Sequence, residues 1–244
     1  MALATMQMQV SQIYISEGNQ KMGEILEANA TATRQSLPEF TYKIYGDNDI
    51  KVLLSSRFSS DVLSAYNILA PYAYKSDFAR FCILHEFGGW YIDVGLRLSG
   101  INISIPANVS LLAFRDINRY ARSSYACASG AIYATPRHPA TAKAIELIIE
   151  NTKNQYYGVT PLCPTGPTLW GRAIAIAGVD DSYVFGDFLE LTPLHSNKNK
   201  AMVLPDGTIF AFNKQSGGGD LEALGAKGTN NYNEFWHDKR IYLN

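Results

Sequence analysis

One stretch constrains the fold of this chain more than any other. A helical pattern runs into Gly88-Gly89 and is followed at once by Trp90-Tyr91-Ile92-Asp93-Val94. Phe78, Phe81 and Cys82 give the helical part its apolar stripe, and the glycine pair ends it. Ser76 reads as the N-cap of that helix. Asp77 then falls in the first turn, where the helix dipole favours an anion. The run after the glycines is short, apolar and aromatic, as a buried strand requires. A helix feeding a buried strand calls for a sheet covered by helices. An Asp at the end of such a strand sits where open α/β sheets bind their ligands.

The remainder of the chain agrees with an α/β reading. Val10 to Ser16 alternates as a first strand, Lys21 to about Ala32 reads as a helix, and Phe40 to Tyr45 as a second strand closed by the turn-rich Gly46-Asp47-Asn48-Asp49. Ser60 caps a helix carrying Val62, Leu63, Tyr66 and Leu69 that stops near Pro71. Val109 to Phe114 and Ala131 to Ala134 have the look of short strands. Pro139 starts a helix, and Gly166-Pro167 opens another over Thr168 to Ala177 with Gly178 as its stop. Ala201 to Leu204 and Thr208 to Phe212 flank Pro205-Asp206-Gly207, a hairpin signal. Met1 to Gln9 reads as a loose start. Gly217 to Gly219 and Gly225 to Gly228 read as mobile stretches before an aromatic, polar tail from Asn230 to Asn244. No internal repeat is evident, and the 244 residues are read as one domain.

Composition excludes several classes. With 21 basic and 22 acidic residues the net charge is −1, which gives no footprint for nucleic acid or an anionic membrane. No apolar run approaches the ~20 residues that span a bilayer. Cys82, Cys127 and Cys163 lack Cys-x-x-Cys spacing and read as reduced, buried thiols. The first Lys is Lys21, so no export signal is expected and a reducing cytoplasm is the expected location.

Ser76, Asp77 and Arg80 lie at i, i+1 and i+4, so Ser76 shares a helix face with Arg80, and Asp77 pairs with it at i+3. On spacing alone this is equally an N-cap plus a surface ion pair, and Asp93 alone is equally a turn residue. The whole segment is more specific. Pro71-Tyr72-Ala73-Tyr74-Lys75-Ser76-Asp77-Phe78-Ala79-Arg80-Phe81-Cys82-Ile83-Leu84 followed by Phe87-Gly88-Gly89-Trp90-Tyr91-Ile92-Asp93 resembles the sugar-nucleotide-binding region of glycosyltransferase family 32. That pattern is roughly S-D-x-x-R-x-x-I-L, then G-G-x-Y-x-D-x-D, and the large clostridial glucosylating toxins share it. Weaker flanking likenesses are Gln12-Ile13-Tyr14-Ile15 as a first strand, Pro136-Arg137-His138-Pro139 as a helix entry, and Thr165-Gly166-Pro167 as a turn. They extend the resemblance over about residues 10 to 178.

The resemblance implies a GT-A fold: a mostly parallel sheet with helices on both faces, residues 10–178 holding a nucleotide-diphosphate sugar and residues 179–244 adding a hairpin, the acceptor side and a lid. It implies that Asp77 and Arg80 hold the donor sugar. Tyr91 then packs near the nucleotide, and Asp93, the first Asp of the D-x-D motif, contacts ribose, sugar or a metal shell. Ser76, Tyr14, Gly166, Asn231 and Trp236 are the further candidate substrate-binding residues, with Asn233 beside Asp93 as a candidate metal ligand. Here the motif reads Asp93-Val94-Gly95, so the second carboxylate is missing. The leaving diphosphate carries two to three negative charges, which Mg²⁺ or Mn²⁺ held by oxygen ligands normally neutralises. Three alternatives stay open: a metal held by Asp93, phosphate oxygens, water and a tail residue (Asn231, Asn233 or Glu234); a cationic side chain among Arg97, Arg172, Lys239 and Arg240; or a protein that no longer catalyses. His85 and His237 read as structural rather than catalytic.

The expected activity is a retaining hexosyl transfer from a nucleotide-diphosphate sugar, with uridine as the family's usual base. The expected acceptor is a saccharide or glycolipid of a bacterial surface polysaccharide such as capsule, O-antigen or lipo-oligosaccharide. A protein acceptor is the alternative enzyme reading, and a non-catalytic nucleotide-sugar-binding subunit is the alternative from another class. No nucleic-acid partner and at most peripheral contact with the inner face of a membrane are expected.

Overall fold

The computed structural model describes residues 8–100, 104–117, 123–191, 200–213 and 219–243. The elements follow in order: β1 (Gln9–Ile13), α1 (Glu24–Ser36), β2 (Thr41–Tyr45), α2 (Asp47–Arg57), α3 (Ser60–Ile68), α4 (Tyr72–Phe87), β3 (Gly89–Ile92), β4 (Arg97–Leu98), β5 (Leu111–Ile117) and β6 (Cys127–Ala134). After these come α5 (Pro139–Lys153), α6 (Pro167–Ala177), β7 (Tyr183–Glu190), β8 (Lys200–Val203), β9 (Ile209–Phe212) and α7 (Tyr232–His237). The α/β architecture expected from the alternation is present. Residues 1–7 of the loose start, and Gly217 and Gly218, lie outside the described residues.

The strands form one mixed sheet in the order β2-β1-β3-β6-β5-β7-β8-β9-β4. β2, β1 and β3 run parallel, as do β5 and β7, and the remaining neighbours pair antiparallel. One face carries α4, α5 and α6, whose Phe81, Leu84, Ile148 and Trp170 pack into a single core with Ile13, Tyr91 and Ile132 of the strands. The opposite face is closed largely by the sheet itself. Trp90 of β3 stacks on Phe210 of β9, with centroids 4.9 Å apart, and Phe114 of β5 lies 5.4 Å from the same ring. β3 and β9 are five places apart in the strand order, so this stacking requires a strongly curled sheet. Each of these buried rings contributes about 1.5–3 kcal/mol by removal from water.

Two local features differ from the sequence reading. The helix that carries Asp77 begins four residues before Ser76. Pro71 occupies its N-cap position, so Ser76 lies in the second turn and caps nothing. A proline fixes its own φ and lacks the N–H that a helix entry leaves unpaired, which suits it to this end. Gly46 to Asp49 is not a closing turn but the entry of α2. The Asp49 carboxylate accepts the Gly46 N–H at 3.0 Å, and the Ile50 N–H bonds the Gly46 carbonyl at 3.1 Å.

At the other end of α4 the expected stop is present. Gly88 has φ 65° and its N–H bonds the Leu84 carbonyl at 2.9 Å. Gly89 has φ 88°, and a Cβ there would fall 2.2 Å from the Gln9 carbonyl oxygen, so only glycine lets β3 pair this closely with β1. The three cysteines are free and buried. Among the described residues no helix is long and apolar enough to cross a membrane.

Candidate active site

Strand alternation starts the site. Along β3, Trp90 and Ile92 point into the core shared with Phe210, while Tyr91 points to the α4 side. Asp93, two residues on, points the same way, and its Oδ1 accepts the Tyr91 hydroxyl at 2.6 Å. Helical periodicity supplies the other half. Ser76, Asp77 and Arg80 share the face of α4 that lies over this strand end.

Arg80 is the hub. Its Nη2 lies 3.0 Å from Asp77 Oδ1 and 3.4 Å from Asp93 Oδ1. Its Nε donates to the Ser76 carbonyl at 3.2 Å and its Nη1 to the carbonyl of Ser129 on β6. The guanidinium carbon sits 4.4 Å from the centre of the Tyr91 ring. A planar fork fits this set of acceptors and the ring beneath it, which an ammonium could not. Burial alone would push Arg80 down, but Tyr91, Asp93 and Asp77 outweigh it and hold the guanidinium above its ordinary value. Burial likewise raises the Tyr91 phenol well above the usual range.

Asp77 is 9% exposed and has a partner on each oxygen. Besides Arg80, its Oδ2 accepts the Thr165 hydroxyl at 2.9 Å and its Oδ1 the Ser129 hydroxyl at 3.4 Å. Burial is the largest influence on it and raises its carboxyl above the usual range, against the lowering pull of Arg80, Thr165 and Ser129. The Asp93 side chain is 31% exposed and is the carboxylate that opens toward solvent.

Two adjoining hollows meet at Arg80 and Asp93. One reaches toward Ile13 and Ile15 beyond β1 and toward Val94 and Gly95; the other toward Asp77, Ser129, Gly166 and Tyr232. Both lie beyond the carboxyl ends of the parallel strands β1 and β3, the ligand-binding position of open α/β sheets.

The sequence-selected residues divide into two groups. Ser76, Asp77, Arg80, Tyr91, Asp93 and Gly166 all line this pair of hollows. Tyr14, Asn231, Asn233 and Trp236 are not among the lining residues. Tyr14 packs beside Leu26 and Val94, with its hydroxyl 3.3 Å from the Lys21 carbonyl. The Asn231 side chain accepts the Asn233 N–H at 3.0 Å and caps α7. The Trp236 indole N–H donates to the Tyr157 carbonyl at 2.9 Å.

The candidate cations also lie elsewhere. Arg97 stacks on Phe212, Lys239 lies over Tyr157 and Trp236, Arg240 pairs with Asp238, and Arg172 is exposed on α6. His85 bonds Thr141 at 3.1 Å, and His237 packs edge-on against Trp236.

Sequence reasoning missed Ser129, Thr165, Tyr74 and Tyr232. Thr165 stands beside Gly166 in a turn already singled out, and Tyr232 stands inside the tail, so each had a nearby signal. Tyr74 stands inside the segment that carries the resemblance, whereas Ser129 had no signal, since its contacts with Asp77 and Arg80 are made by folding distant segments together.

The donor set also bears on a metal. Asp93 Oδ1 is taken by Tyr91 and Arg80, both Asp77 oxygens are taken, and Gly95 has no side chain to offer. Asp93 Oδ2 faces Gly130, where a Cβ would stand 3.0 Å away. Among the described residues no three His, Cys, Asp or Glu side chains gather as a metal cage. One open carboxylate oxygen fits Mg²⁺ or Mn²⁺ only in the form such ions often take, shared with substrate phosphates and water.

Comparison with known proteins agrees with this geometry. Residues 12–99 match the family model described as the glycosyltransferase sugar-binding region containing the DXD motif. The matched stretch starts at the end of β1 and holds α4, β3 and Asp93, and it supports a DXD-type glycosyltransferase region in this chain, a class that generally uses a divalent metal. None of the curated proteins matches. Among solved structures the chain is similar to a "PaToxG Glycosyltransferase", with a TM-score of 0.50 and 19% identity over 69% of this chain and 67% of that one. A transferase carrying two Cys-to-Ser substitutions is similar with a TM-score of 0.36 and 15% identity over 59% of this chain and 78% of that one. The first likeness shows the fold: this chain has the α/β architecture of a GT-A glycosyltransferase.

Proposed function

We propose that this chain, read as one domain, is a retaining glycosyltransferase that moves a hexose-type sugar from a nucleotide-diphosphate sugar to a saccharide acceptor. Uridine diphosphate is the first donor class to test, and surface polysaccharide or glycolipid is the proposed acceptor class. The observation that carries the reading is the meeting of Asp77, Arg80, Tyr91 and Asp93 around two adjoining hollows beyond the ends of β1 and β3. It lies within the stretch that matches the sugar-binding model.

In this reading the hollow beside Val94 and Gly95 takes the diphosphate side and the one beside Asp77 takes the sugar. The open Asp93 oxygen would hold Mg²⁺ or Mn²⁺ together with the donor, and such an ion would offset the charge of the departing diphosphate. Arg80, pinned on every nitrogen, fixes where both carboxylates stand, and they fix the pyranose by its hydroxyls. Two carboxylates around one guanidinium leave the cluster formally negative by one, which favours the positive charge that develops at the anomeric carbon. The bond from that carbon to the diphosphate oxygen breaks and the bond to the acceptor oxygen forms on the same face. The acceptor's proton passes to the leaving phosphate oxygen, so no separate protein base is needed.

The test is a thermal-shift screen of UDP-glucose, UDP-N-acetylglucosamine and GDP-mannose with and without Mn²⁺, followed by donor hydrolysis. A bound donor raises the melting temperature by mass action, and Asp93→Ala abolishes hydrolysis. If no donor shifts the melt, or Asp93→Ala turns over donor like the parent, the reading fails. Gly95 favours one second reading, a nucleotide-sugar-binding subunit without turnover. Binding with no cleavage of any donor would select it. Transfer to a protein instead of a saccharide would revise the acceptor alone.

A further inference from the structure

The hollow beside Asp77 has two unlike walls. One is polar, made by Asp77, Asp93 and Ser129; the other is aromatic and apolar, made by Tyr74, Leu162 and Tyr232. A pyranose is amphipathic in the same sense, with hydroxyls around its edge and a patch of C–H groups on its face.

Tyr232 reaches this wall because the tail folds back over the start of α4. Asn230 Oδ1 accepts the N–H of Tyr72, the first residue of α4, at 2.9 Å and so satisfies one of the donors a helix entry leaves open. The Tyr232 ring then lies 5.8 Å from the Tyr74 ring at a tilt of 33°. Gly219 has φ 80°, and a Cβ there would fall 2.8 Å from Ala73 Cβ and 3.0 Å from Tyr232 Cδ1. The approach therefore depends on a glycine. Among the described residues nothing bonds the Tyr232 hydroxyl. Burial, then the charges of Asp77, Asp116 and Asp93, push that phenol up to about 12, so it keeps its proton at neutral pH. The residue thus offers both a flat apolar face and a donor with no acceptor among the described residues.

We infer that Tyr232 is a substrate-contacting, specificity-determining residue whose ring covers the C–H face of the donor's sugar while Asp77 and Asp93, positioned by Arg80, hold its hydroxyl edge. The inference rests on the glycosyltransferase reading and adds to it which residue distinguishes a nucleotide sugar from a bare nucleotide. Tyr232 is expected to contribute to affinity for the sugar and nothing to affinity for the nucleoside diphosphate.

Calorimetric titration tests this with the full chain, comparing UDP with UDP-glucose and UDP-N-acetylglucosamine, and GDP with GDP-mannose. In the parent, one nucleotide sugar binds more tightly than its own nucleotide. Tyr232→Ala reduces that ratio about tenfold, the upper range for an aromatic contact, and leaves the nucleotide's affinity unchanged. Tyr232→Phe keeps the ratio to within about threefold, the worth of one hydrogen bond. Should the Ala variant not fold, Tyr232→Leu keeps the bulk, removes the ring, and is expected to lose the ratio as well. Unchanged ratios in the Ala and Leu variants overturn this inference and leave the glycosyltransferase reading standing. A parent that binds no nucleotide sugar overturns both.

Discussion

The two walls of the candidate site are held in place by different means. The ionic wall belongs to the core: α4, β3 and β6 each contribute, Arg80 is 4% exposed, and each of its bonding partners is itself fixed by another contact. The aromatic wall is completed by the tail: Tyr74 stands on α4 and Leu162 before α6, but Tyr232 comes from α7, whose neighbouring Trp236 is tied by one hydrogen bond to the Tyr157 carbonyl. The difference separates precision from access. Charge placement must be accurate to fractions of an ångström, while a sugar's apolar face needs only a surface that can close on it.

The largest effect is expected at the hub. Arg80→Ala strands two carboxylates in a buried setting and should cost about 3–5 kcal/mol of unfolding free energy in urea. Arg80→Lys should restore little, because an ammonium cannot serve Ser76, Ser129, Asp77 and Asp93 together. If Arg80→Ala costs no more than a tail substitution, the contrast between the walls disappears.

Asp93→Asn comes next. It should lower donor turnover ~10²-fold or more by misplacing the substrate. The partly open carboxylate should cost only about 1 kcal/mol of stability, so turnover and urea midpoint part company.

Thr165→Val leaves Asp77 Oδ2 without its hydroxyl partner and should cost about 1–3 kcal/mol, with Thr165→Ser recovering most of it. Acid supplies a test away from both walls. Burial lowers His138 to about 4, while its Nδ1 accepts the Ala140 N–H at the entry of α5. The unfolded chain, titrating near 6.5, therefore binds the extra proton between these values. Stability should be full above about pH 6.5 and fall by about 1–2 kcal/mol toward pH 4, allowing for solvent screening. His138→Asn should flatten that slope in urea melts taken across the range.

The smallest effect is at Trp236→Phe. Losing one indole hydrogen bond should cost about 0.5–1.5 kcal/mol. It should appear as faster hydrogen exchange in residues 219–243, with exchange in α4 and β3 unchanged.

These differences also explain what could be read from the sequence. The ionic wall is written in local spacing: i+3 and i+4 on a helix, i+2 on a strand, and a Gly pair between them. Asp77, Arg80, Tyr91 and Asp93 were therefore legible, and so were the strands on either side of them. The helix entry was misjudged at Ser76 because a serine before an acid has the chemistry of a cap, whereas Pro71 already supplies the start. α2 was missed because an Asp-Asn-Asp run after a glycine suits a turn and a capped entry equally well. β7 was missed although Tyr183 to Glu190 pairs along the whole of β5, since its half-buried faces leave little alternation to see. The aromatic wall was illegible in detail. Tyr74 and Tyr232 are 158 positions apart, and only the fold-back of the tail brings them together. The same fold-back occupies Asn231 and Trp236 with an α7 cap and a backbone carbonyl.

The manner of that attachment has a kinetic consequence. Trp236 and Tyr242 grip the neighbouring carbonyls of Tyr157 and Tyr156, a few residues before Pro161 and Leu162, which border the hollow themselves. Tail and bordering loop are thus stapled to each other as well as laid against the core. Were the tail to swing outward, these two hydrogen bonds would carry the loop with it and open the mouth on two sides together. Under the glycosyltransferase reading, donor arrival and diphosphate departure would then share a single gating rate, one that solvent viscosity would slow for both.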